Sequence, residues 1–330
     1  MPEVLVNPID SNPVPMSGPQ ILSVVIPTYQ RPIWIVRAVR SLARQSRPPD
    51  EVVAVARDTD LPTHAAIDGL LHEPLPFKLR RELVSEPGFI PPVKAGIGAA
   101  KGDIIAVMDD DAEAADEWAV RLLSHYGDRG VGAVGGRCIN TSDETGPDAV
   151  PATDRVGYVN RRGQFIGRMY FRPTFSQPVE VDFLMGGNMS FRREIARRLE
   201  FDMALNRNVA QGYEVDLGLQ VRGMGSKIIF DPLVAINHYS APREAVGVRQ
   251  SQAEGTQWYA FNQARVALRR LPVARRAISF AYQMTLGERR APGLLPLALG
   301  PLARKLGFDV DVARAAIKGR VLAARSVFRR

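Results

Sequence analysis

Three adjacent carboxylates, Asp109, Asp110 and Asp111, close an apolar run of β character, Ile104-Ile105-Ala106-Val107-Met108. Burying a charge is costly, so the acids belong where the strand reaches the surface. Like charges at neighbouring positions repel, and a hard divalent cation such as Mg2+ or Mn2+ relieves the repulsion through oxygen ligands. The same three residues also fit a solvated acidic turn, because Asp caps helices well and a helix N-terminus favours negative charge.

The elements around the acids bear on that choice. Upstream, residues 88–102 are rich in Gly, Ala and Pro, and Lys101-Gly102-Asp103 turns the chain into the strand. Downstream, Ala112 to Trp118 reads as a helix start, continued by apolar Val120, Leu122 and Leu123. The carboxylates then lie between a strand and a helix, and in an open α/β sheet the carboxyl ends of the strands are where ligands bind.

Further segments carry a likeness. Ser23-Val24-Val25-Ile26-Pro27-Thr28-Tyr29-Gln30-Arg31-Pro32 is a short buried strand, a turn, and a Pro placed for the first turn of a helix. Gly186-Gly187-Asn188-Met189-Ser190-Phe191-Arg192-Arg193 pairs two glycines that permit close backbone approach, and Gly212-Tyr213-Glu214-Val215-Asp216-Leu217 is an acidic stretch later in the chain. In this order the segments resemble the inverting glycosyltransferases of family 2 over about residues 21–240.

The resemblance implies an α/β fold of GT-A type, a nucleotide-binding sheet flanked by helices. It implies a nucleotide-sugar donor and a carbohydrate or glycolipid acceptor, as in polysaccharide, cell-wall or glycolipid synthesis. Pro27, Thr28 and Tyr29 would form the nucleotide-binding turn, with Tyr29 free to stack on a base. Asp109 and Asp111, completed by His238, would hold a divalent cation, Mg2+ or Mn2+, and Asp110 would orient the donor sugar or ribose. Glu214 would be the general base that takes the acceptor proton. Lys94 falls where a donor-contacting residue is common and could meet a phosphate; a solvent-facing lysine fits as well. The other histidines, His64, His72 and His125, read as surface or packing residues.

Two departures stand out. Where the family carries Gly-Glu-Asp, this chain has Gly212-Tyr213-Glu214, so one acid becomes Tyr and the base gains a methylene; Asp216 reads as a cap or support for the helix. After the second strand, residues 51–55, the usual acidic base-binding word is replaced by Ala56-Arg57-Asp58-Thr59-Asp60. Arg57 cannot accept a hydrogen bond, so Asp58, the backbone or another group must read the base. These changes keep one rival open, a catalytically inactive member that only binds a nucleotide or sugar.

Composition bounds the rest. A chain of 330 residues that is 45% hydrophobic supports one large α/β domain with an appended segment. A single cysteine, Cys138, excludes an internal disulfide and a zinc constellation, which suits a reducing, cytoplasmic setting. Residues 1–20 are Pro-rich without an apolar core and read as a flexible lead-in, followed by a catalytic region over 21–242. From Arg243 to the end, 17 Lys/Arg face 5 Asp/Glu, so the positive charge of the whole chain, +8, belongs to this tail. Residues 243–330 read as basic amphipathic helices. They could lie on an anionic membrane from the cytoplasmic side, or pack on the catalytic region and turn their arginines to water. The apolar stretch 293–303 is too short and Pro-broken to span a bilayer. No nucleic-acid-binding signature accompanies the charge.

Overall fold

A computed structural model of the protein describes residues 20–141, 150–207, 210–241, 251–299, 302, 305 and 308–328. The expected lead-in lies, except for Gln20, outside the described residues. The chain opens as strand-helix alternation: β1 (Leu22–Thr28), α1 (Pro32–Ala43), β2 (Glu51–Arg57), α2 (Leu61–Leu71), β3 (Lys78–Val84), α3 (Ile90–Ala99) and β4 (Ile104–Met108). All of β1 and β4 and nearly all of β2 are buried, which is why they read as continuous apolar runs rather than alternating ones. Then come β5 (Ala112–Ala114), α4 (Trp118–Ser124), β6 (Val131–Asn140), the short strands β7 (Ala152–Thr153), β8 (Tyr158–Val159), β9 (Phe165–Ile166), β10 (Arg172–Pro173) and β11 (Val179–Glu180), and β12 (Asn188–Arg192). α5 (Arg193–Ala196), α6 (Tyr213–Gly223) and β13 (Lys227–His238) complete the sheet region.

The main sheet runs β11-β13-β6-β12-β4-β1-β2-β3, with β5 paired to β13. β1, β2, β3 and β4 are parallel, whereas β12 is antiparallel to both β4 and β6. The order reverses around β1 and β4, so the ends of these strands open a crevice. A buried polar clamp fixes their register: Glu51 accepts from Ser23 Oγ at 2.6 Å, from the Lys101 amide at 2.9 Å and from Arg80 at 2.9 Å. Burial alone would raise this carboxyl group, but those donors hold its pKa below the ordinary value.

One local expectation changes. The segment from Ala112 begins not as a helix but as β5, because its backbone finds partners on Ile236 to His238 of β13; the helix starts at Trp118. That edge pairing draws the end of β13 alongside the carboxylates.

The described part of the tail is mostly helical, and its first helix packs onto the sheet region. It comprises α7 (Gln252–Arg270), α8 (Val273–Thr285), α9 (Leu295–Ala298) and α10 (Val310–Phe328). α7 turns Phe261, Ala264, Val266 and Leu268 inward and lies against α6 and α10. Its basic residues meet buried acids: Arg265 Nε is 2.6 Å from Asp202, Arg269 also pairs with Asp202, and Arg270 grips Asp216 at 2.7 and 3.0 Å. Gly319 of α10 sits so close to the α7 backbone that an added Cβ would lie 2.1 Å from the Gln257 carbonyl oxygen. Among the described residues, no helix is long and apolar enough to cross a membrane.

Candidate active site

A cavity of about 330 Å3 opens at the carboxyl ends of β1 and β4, lined by Pro27, Arg31, Phe89, Asp109, Asp110, Asp111, His238, Ser240 and Ala241. The three acids leave β4 in different directions. Asp110 turns inward, where it is 5% exposed, and accepts from Thr28 Oγ1 and Arg31 Nη1, both at 2.8 Å. Burial pushes its pKa up to about 6, against the pull of Arg31. Asp111 gives one oxygen to Arg31 Nη1 and to the Ala241 amide, both at 2.9 Å, and turns the other toward His238 Nε2 at 3.3 Å. Asp109 Oδ2 lies 3.7 Å from the same imidazole nitrogen.

Asp109, Asp111 and His238 thus bring one ligand atom each within 4.8 Å of the others. Two carboxylates and an imidazole suit Mg2+ or Mn2+ by donor type. Space supports that fit. A Cβ built on Gly187 would lie 2.3 Å from Asp109 Oδ2, so glycine is what lets this carboxylate occupy its place. β12 fixes Gly187 there, because Asn188 pairs with Met108 across the ladder and its side chain is locked by the Trp118 indole at 2.9 Å and the Val234 carbonyl at 2.8 Å. His238 arrives because β13 continues past its bulge to pair with β5, and Tyr170 stands edge-on to its ring at 5.9 Å.

Arg31 was part of the sequence word, but its role was not visible there. It precedes Pro32 at the helix start, and its side chain spans both Asp110 and Asp111 while Nη2 donates to the Ala241 carbonyl at 2.8 Å. A lone cation in a turn signals nothing by itself; its partners lie about 80 and 210 residues away.

Glu214 sits in the first turn of α6, one residue after Tyr213, and Gly212 before it takes φ 98°, a left-handed conformation that suits glycine. Its side chain keeps a partial opening to solvent, yet burial pushes the carboxyl pKa up to about 7, with the Gly212 amide donating to Oε2 at 3.2 Å. Tyr213, where the family has an acid, is buried with its hydroxyl unpartnered, beside Gly186 and 5.4 Å from the Phe89 ring that lines the cavity. Asp216 lies one turn further and faces away into α7. From α7, Asn262 donates to the carbonyl oxygens of Leu205 and Gln211 at 3.2 and 2.9 Å, so the tail holds the loop that carries the base candidate.

The remaining sequence candidates fall at different distances from this centre. Pro27 lines the cavity, and Thr28 serves Asp110. Tyr29 is 41% exposed, with the Arg57 guanidinium 5.5 Å from its ring centroid, and Asp58 is exposed beyond them. Asp60 caps α2 and binds the Gln30 amide, tying the β2 turn to the β1 turn. Lys94 is exposed on α3 and does not line the cavity. His125 is not free but bonds Asp231 at 2.8 Å.

Comparison with known proteins accords with this arrangement. No curated protein sequence matches the chain. Among solved structures, GalNAc-T7 with UDP, GalNAc and Mn2+ superposes with TM-score 0.58 at 15% identity, over 88% of this chain and 58% of that one. The mannosyltransferase PcManGT from Pyrobaculum calidifontis, in complex with GDP-Man and Mn2+, gives 0.53 at 18% identity over 98% and 91%. S. aureus TarS (residues 1–349) in complex with UDP-GlcNAc gives 0.58 at 14% over 93% and 81%. At such identities the likeness is one of fold, and the fold is the GT-A type expected from the sequence. The model of glycosyl transferase family 2 matches residues 23–200, more than half the chain and the whole course from β1 past the paired glycines, and on that match the chain belongs to this family.

Proposed function

We propose that the protein is a metal-dependent inverting glycosyltransferase that moves a sugar from a nucleotide-diphosphate donor to a hydroxyl acceptor. The observation that carries this reading is the cluster of Asp109, Asp111 and His238 at the end of β4. A divalent cation held by these three would supply positive charge to the departing diphosphate. The exposed Tyr29 ring, backed by Arg57, offers a face for the base, and Pro27, two residues before it, lines the cavity. Asp110, engaged by Thr28 and Arg31, positions the strand end rather than reaching freely into the cavity. Glu214, ionised, takes the proton of the acceptor hydroxyl as its oxygen attacks the anomeric carbon from the face opposite the diphosphate. One new bond to the anomeric carbon forms as the old one breaks, which inverts its configuration. The acceptor class is carbohydrate or glycolipid, in polysaccharide, cell-wall or glycolipid synthesis.

The test is release of nucleoside diphosphate from UDP-, GDP- and dTDP-sugars with Mn2+ or Mg2+, comparing the unmodified protein with Asp111→Ala and Glu214→Gln. Metal-dependent turnover of one donor, lost in both variants, supports the reading and names the donor. Nucleotide binding without turnover of any donor would replace it with a binding protein, the reading that the Tyr213 and Arg57 departures favour.

A further inference from the structure

α8 is built inside out. Its buried side is polar: Ser279 Oγ donates to the Gly163 carbonyl at 3.1 Å, Gln283 donates back to Ser279 at 3.1 Å, and Arg275 donates to the carbonyls of Val159 and Asn160 at 3.0 and 2.7 Å. Its outward side carries Ala274, Ala277, Ile278 and Ala281, all exposed and spaced to share one helix face. Val273, at the start of the helix, is 78% exposed, Ile278 51% and Leu286 52%. The chain then folds back, with Leu294 N donating to the Met284 carbonyl and Gly293 N to that of Leu286, both at 2.8 Å. Leu294 and Leu295 therefore stand exposed at the same end of α8 as Leu286. A water-soluble helix normally buries its apolar stripe, and a contiguous exposed one marks a contact surface.

Charge identifies what fits the surface. Residues 271–308 contain six Lys/Arg, of which Arg275 and Arg276 are held by backbone carbonyls, and a single acid, Glu288. That acid is engaged by Gln164 and by the Tyr259 hydroxyl, each at 3.1 Å. Arg289 is exposed just past α8, and Arg290 beside it, also exposed, lies over the Tyr259 ring at 4.5 Å and donates to Gln211 at 3.1 Å. On the other side, exposed Arg162 lies over the Tyr282 ring at 5.4 Å, with Arg161 beside it. An apolar face flanked by arginines, with its one acid engaged, is complementary to a bilayer surface of anionic phospholipid. Apolar side chains enter the acyl boundary while guanidinium groups meet phosphates. The absence of a spanning helix among the described residues suits a segment that lies in the interface plane.

We infer that the outer face of α8, extended by Leu286, Leu294 and Leu295, docks the protein onto an anionic phospholipid membrane. This inference does not rest on the transferase chemistry, because none of the surface residues belongs to the cavity. It resolves the two courses open to the basic tail in a divided way: α7 spends its apolar face and its arginines on the catalytic region, whereas α8 keeps its apolar face outward.

Sedimentation of the full-length protein with phospholipid vesicles tests it. Vesicles containing phosphatidylglycerol should bind the protein about tenfold or more better than pure phosphatidylcholine vesicles at low salt, and salt should weaken the binding. Ile278→Glu should reduce vesicle binding by about tenfold or more, and Ala277→Trp should increase it, with the thermal unfolding temperature of both unchanged because the positions face solvent. Equal binding to the two vesicle types, or Ile278→Glu binding as the unmodified protein does, overturns the inference. So does a dimer in sedimentation velocity that Ile278→Glu dissolves, since a second copy of the chain would then be what covers the face.

Discussion

Removing the charge of Glu214 should cost activity and add stability, and the two effects have one cause. Burial raises the carboxyl pKa from an ordinary 4.5 to about 7. A base must be ionised to accept a proton, so kcat/KM should climb roughly tenfold between pH 6 and pH 8, since about a tenth of the groups are ionised at the lower value and about nine-tenths at the higher. Glu214→Gln should lower the rate by about 10²–10⁴-fold, the usual range for a positioned base, and flatten this limb of the profile. Stability runs the other way. Between pH 4.5 and about 7 the folded protein holds a proton that the unfolded chain has released, so folding weakens as pH rises through that window. The full shift corresponds to about 3 kcal/mol, and the partial opening of the side chain to solvent reduces this to on the order of 1–2 kcal/mol. Glu214→Gln, which has no proton to lose, should therefore unfold a few degrees higher than the unmodified protein at pH 8 and at nearly the same temperature at pH 5. The assays are donor turnover across pH and thermal unfolding at the two pH values. A Gln variant that keeps a pH 7 limb, or one that melts no higher at pH 8, would refute the assignment of a buried, titrating base to this position.

Other outcomes follow from the same geometry. Gly187→Ala places a Cβ 2.3 Å from Asp109 Oδ2, and β12 is too firmly paired to retreat, so Asp109 must swing away; Mn2+ affinity measured by calorimetry should fall by about 10- to 100-fold. Arg270→Ala strands Asp216, which is 1% exposed, with Gln220 as its remaining side-chain partner. Such a loss should cost about 3–5 kcal/mol and lower the unfolding temperature by about 4–7 degrees for a chain of this length, whereas adding Asp216→Asn should recover part of it. Arg31→Ala removes the donor shared by Asp110 and Asp111, and Mn2+-dependent turnover should fall by more than nucleotide binding does, because Tyr29 and Arg57 are left in place.

Much of the sheet and the metal cluster could be read directly because they are written in local words. The fully buried strands β1 and β4 are continuous apolar runs, and the carboxylates follow one of them without interruption. His238 was reachable only through its likeness to the family, since the pairing that delivers it, β13 with β5, joins residues 122 to 126 positions apart. That same pairing made residues 112–114 a strand where the local pattern suggested a helix. Helical periodicity reads residues 243–330 as amphipathic helices, but periodicity has no sign: it says that a face exists and not whether the face looks inward. Nor could spacing reveal that Arg270 would find Asp216, because an arginine beside apolar residues looks the same whether it meets water or a buried acid.

The family match ends at residue 200, but the fold does not permit a cut there or just after β13. Asp216 stands two residues past Glu214 on the same helix, and its counter-charge comes from the other end of α7. The loop before Glu214 hangs its carbonyls on Asn262 of that same helix. Acceptor specificity in a modular enzyme could be changed by exchanging tails, yet here a transplanted tail would have to bring its own Arg270 and Asn262 in register or leave α6 and the loop before it without their anchors. Tail and sheet region are therefore joined through buried polar contacts that neither side can replace alone, whereas a substitution on the outside of α8 disturbs none of them.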